Sequence, residues 1–101
     1  IEYGKKLTYD VNYRVRLVDS EEYGIRNLDM LKGFLSGLHA GNFDITQVYI
    51  DNLYKTIGND RAAGEAFILW AADFAAANSM EITMTVSDDP TLASEAVKKY
   101  L

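Results

Sequence analysis

The stretch RAAGEAFILWAADFAAA, residues 61–77, constrains this chain more than any other. Only Arg61, Glu65 and Asp73 interrupt its apolar surface. A helix that is apolar on nearly every side must be buried on more than one. Asp60 precedes it as a candidate N-cap, and Asn78 follows as a stop. The expectation is a central helix packed between a sheet and further helices.

Two alternating segments supply the sheet. Residues 6–18 place Tyr9, Val11, Tyr13, Val15 and Leu17 on one side and Thr8, Asp10, Asn12, Arg14 and Arg16 on the other. Residues 80–86 set Met80, Ile82, Met84 and Val86 against Glu81, Thr83 and Thr85. Each has one apolar face, so helices are expected to cover one side only. Residues 19–22 read as a turn, and residues 23–27 as either a short returning strand or a loop.

Three more helices are expected. Leu28, Leu31, Leu35 and Leu38 have helical spacing in residues 28–39, with Asn27 as cap. Residues 45–57 follow, capped by Asp44, with Ile45, Val48, Ile50, Leu53 and Ile57 as apolar positions and Gly58 at the left-handed C-terminal position. The last, SDDPTLASEAVKKYL, has Asp89 as cap, Pro90 in the first helical position, and Lys98 and Lys99 at the negative end. The fold class is therefore α+β and two-layered: a small antiparallel sheet of two or three strands with about four helices on one face, in the order β-(β)-α-α-α-β-α. With 101 residues the chain is one domain, 1–101. At ~3.3 Å per residue the first strand outruns the last by roughly 15 Å, leaving backbone for a further partner.

Composition narrows the chemistry. There is no cysteine, hence no disulfide, thiolate nucleophile or cysteine metal site. His39 is the only histidine, which leaves no zinc set. No phosphate loop, nucleophile elbow or dinucleotide fingerprint occurs. No catalytic residue, metal ligand or cofactor is assigned. No apolar run approaches the roughly 18 residues of a membrane span, and with the cysteine-free composition this leads to a cytoplasmic expectation. Net charge is −5, concentrated in residues 27–97, where Lys32, Lys55 and Arg61 face ten carboxylates. Such a surface repels nucleic acid and anionic lipid and favours a basic partner. Arg14 and Arg16 alone are too thin a patch for RNA, and Tyr9 and Tyr13 share the apolar face.

What remains points to association. Seven tyrosines exceed the needs of one small core, and tyrosine with arginine is typical of interface anchors. Gly33, Gly37 and Gly41 recur every four residues; glycines inside a helix cost about 1 kcal/mol each against alanine, which calls for close packing on residues 61–77 or for a groove that admits a partner. The expected function is a small acidic protein-binding domain, acting stoichiometrically as inhibitor or adaptor on another protein or as a homodimer. Its expected contacts are Tyr13, Arg14, Arg16 and Tyr23, with Asp51 and Asp73 secondary, through edge pairing and charge complementarity. One alternative is a small-molecule or enzymatic site between the helix 28–39 and the sheet, using His39 with Glu65 or Asp73. A second is a structural subunit of a larger assembly.

Overall fold

The computed structural model describes residues 1, 17–41, 44–58, 60–86 and 90–100. Their elements run α1 (Leu28–Gly41), β1 (Gln47–Ile50), α2 (Leu53–Ile57), α3 (Arg61–Ala77), β2 (Glu81–Met84), a 3-10 turn (Pro90–Leu92) and α4 (Glu95–Lys98). Among the described residues this is a small α+β fold with four helices and a two-stranded sheet. Among the described residues no helix is long and apolar enough to cross a membrane.

The sheet is parallel, pairing Gln47 with Glu81 through Ile50 with Met84, where an antiparallel one was expected. The reason lies in residues 45–57, which the helical spacing of their apolar residues had assigned to one helix. Ile45, Thr46, Val48, Tyr49 and Ile50 are β-branched or aromatic and fit a pleated surface, so the first half is a strand. Asn52 then turns the chain in a left-handed conformation, φ 58°, and the helical half shrinks to α2. With β1 ahead of it, α3 becomes a crossover: the helix returns the chain to the end of the sheet where β1 began, which parallel pairing requires. The expected strand 6–18 lies outside the described residues apart from its last two, Leu17 and Val18, which are not in strand.

Val48 and Ile50 point to the helices and are buried, whereas Gln47, Tyr49, Glu81 and Thr83 form an open outer face. The core joins Leu31 and Leu35 of α1, both strands' inner side, Leu53, and Phe67 and Ala71 of α3, closed by Ile25 and Met80. Phe67, Leu31 and Leu53 are fully buried, each contributing roughly 1.5–3 kcal/mol of transfer free energy. α3 spans Arg61–Ala77 and touches α1, α2, α4 and β2, but it buries a single stripe, Gly64, Phe67 and Ala71, and leaves Ala62, Ala66, Asp73, Ala76 and Ala77 exposed, so the expected burial on more than one side is corrected. The Asp60 carboxylate accepts from the Ala63 amide at 3.1 Å, and the Asn27 side chain accepts from Met30 at 2.9 Å, so both expected caps form.

Two further expectations are corrected, and the open one over residues 23–27 is decided as a loop. Asp44 precedes a strand and caps no helix. Residues 23–27 form no strand: Asp19 starts a turn by accepting from the Glu21 amide, Gly24 takes φ 67°, and Ile25 drops into the core. The single C-terminal helix is divided by Ser94, whose backbone is extended and whose amide donates to the Glu65 carboxylate on α3 at 2.7 Å. Asp89 lies outside the described residues. Val97 buries α4 against the body of the fold.

Candidate functional site

α1 has two unlike sides. Leu28, Leu31 and Leu35 face inward, and from the same side Lys32 lies 5.5 Å from the Trp70 ring of α3 while His39 meets Phe74 edge-on at 5.9 Å. The opposite side carries Met30, Gly33, Gly37 and Gly41, all exposed. A methyl group placed on any of these glycines would meet nothing within 4 Å. The expected packing of the glycine stripe on residues 61–77 is thus corrected: the stripe looks outward. The close helical approach belongs to Gly64, where an added Cβ would come 2.6 Å from Tyr54 Cε1 of α2.

The outward side of α1 continues into the preceding turn. Tyr23 is 62% exposed, and its ring sits 6.3 Å from Phe34, one turn beyond Met30. From Gly33 to Gly41 this side shows Phe34, Ser36, Ala40 and the glycines, and no charged group. A solvent-facing helix side normally carries charges, and this one carries none over residues 33–41. Among the described residues, Glu21, Glu22 and Arg26 are exposed in the segment that leads into α1, and Asp29 is exposed in its first turn. Met30 escaped the sequence reading, although its position off the Leu28–Leu31–Leu35 stripe and four residues before Phe34 was the available signal.

The other expected contacts do not gather here. Tyr13, Arg14 and Arg16 lie outside the described residues. Asp51 directly follows β1, and its carboxylate accepts from the Thr85 hydroxyl at 2.8 Å. Asp73 is exposed on α3. Among the described residues no hydrogen bond or ring contact links Tyr23, Asp51 and Asp73.

The residues of the small-molecule alternative are also dispersed. Glu65 is engaged with the Ser94 amide, and the space between α1 and the sheet holds Leu31, Leu35, Val48 and Ile50. His39 Nδ1 is buried without a hydrogen-bond partner. Among the described residues no cluster of histidine and carboxylate side chains is arranged to hold a metal ion.

A second surface is the margin of the sheet. Thr46 and Ile50 of the β1 segment accept from Glu81 and Thr85, so the β1 backbone groups of even number face β2. The opposite edge of β1 is met by Ile1, which donates to the Tyr49 carbonyl at 2.7 Å and accepts from Asp51 at 2.8 Å, the pattern of a parallel neighbour at Ile50. On β2, Ile82 and Met84 direct their amides and carbonyls away from β1, and among the described residues nothing meets them. No family model, curated protein or solved structure matches the chain.

Proposed function

We propose that this is a small acidic protein-binding domain that acts by stoichiometric association with another protein, as an inhibitor or adaptor, in a cytoplasmic setting. The observation that carries the reading is the outward side of α1, uncharged over residues 33–41 and anchored by Tyr23 and Met30. Gly33 and Gly37 leave a smooth surface on which a partner's helix can approach closely, gaining dispersion contacts that side chains would block. Tyr23 and Met30 supply the apolar anchors, and Glu21, Glu22 and Asp29 favour a basic rim on the partner. Tyr13, Arg14 and Arg16 enter the proposal from sequence alone.

The test is affinity capture from the host lysate, followed by light scattering of the recovered complex. Wild type is expected to hold a partner at one-to-one stoichiometry, and Met30→Asp and Tyr23→Ala to lose it. Equal recovery by all three would remove the α1 surface from the proposal. A parallel Arg14→Glu/Arg16→Glu bait examines the alternating stretch on its own. The small-molecule reading rests on the unpartnered His39 Nδ1. A thermal-shift screen separates the two: strong stabilisation by one metabolite, lost in His39→Phe, would favour the ligand site.

A further inference from the structure

We draw no further inference here: the strongest candidate, the exposed outer face of the sheet formed by Gln47, Tyr49, Glu81 and Thr83, carries nothing because nothing in the structure shows what covers it.

Discussion

Ser79 holds a left-handed backbone, φ 54°, immediately after the Asn78 cap of α3. The Met80 amide donates back to the Ala75 carbonyl at 2.9 Å, a six-to-one closure that requires that conformation. A side chain there costs about 1 kcal/mol that glycine avoids. Ser79→Gly should therefore raise the melting temperature by a few degrees in a calorimetric scan. Glycines elsewhere give a sharper contrast. Gly33→Ala and Gly37→Ala gain helix propensity in open space and should each stabilise the fold by up to about 1 kcal/mol in urea titration. Gly64→Ala gains the same propensity but drives a methyl group into the buried Tyr54 ring. It should destabilise by about 1–3 kcal/mol net. Sequence showed all of these glycines alike; only their surroundings give the substitutions opposite signs.

At the scale of elements, the junction of β1, β2 and α2 is held by one residue. Thr85 donates its amide to Ile50 and accepts from Leu53 through its carbonyl. Its hydroxyl accepts from the Asn52 amide at 2.7 Å and donates to Asp51 at 2.8 Å. This secures the left-handed turn at Asn52 that separates strand from helix. Thr85→Val keeps the shape and removes both hydroxyl bonds; because the site is exposed, the loss should be about 0.5–1.5 kcal/mol, read from the urea midpoint. The error over residues 45–57 arose here. Ile45, Val48, Ile50, Leu53 and Ile57 satisfy helical spacing and also a strand followed by a helix, and the β-branched density of ITQVYI was the signal that should have decided. The caps at Asn27 and Asp60 were legible because a cap depends on a few neighbouring residues. The division at Ser94 was not, because it involves Glu65, 29 residues away.

Over the whole molecule, one apolar cluster joins α1, α3 and both strands, while the charge lies outside it. Leu31→Ala at its centre should cost about 2–5 kcal/mol, whereas Met30→Asp on the far side of the same helix should change stability by no more than about 0.5 kcal/mol in the same titration. That difference shows whether a loss of partner in Met30→Asp reports the surface or the fold. By itself the sequence determined the α+β class, the helix over residues 61–77, the caps of both long helices and the net negative charge. Each follows from local composition, periodicity or a cap within a few residues. Tertiary structure alone decided that the described strands run parallel, that the glycine stripe faces outward and that the β2 edge is met by nothing among the described residues. Those are relations between segments far apart in the chain, set by which pairings bury the most apolar surface together, and neither spacing nor propensity encodes them.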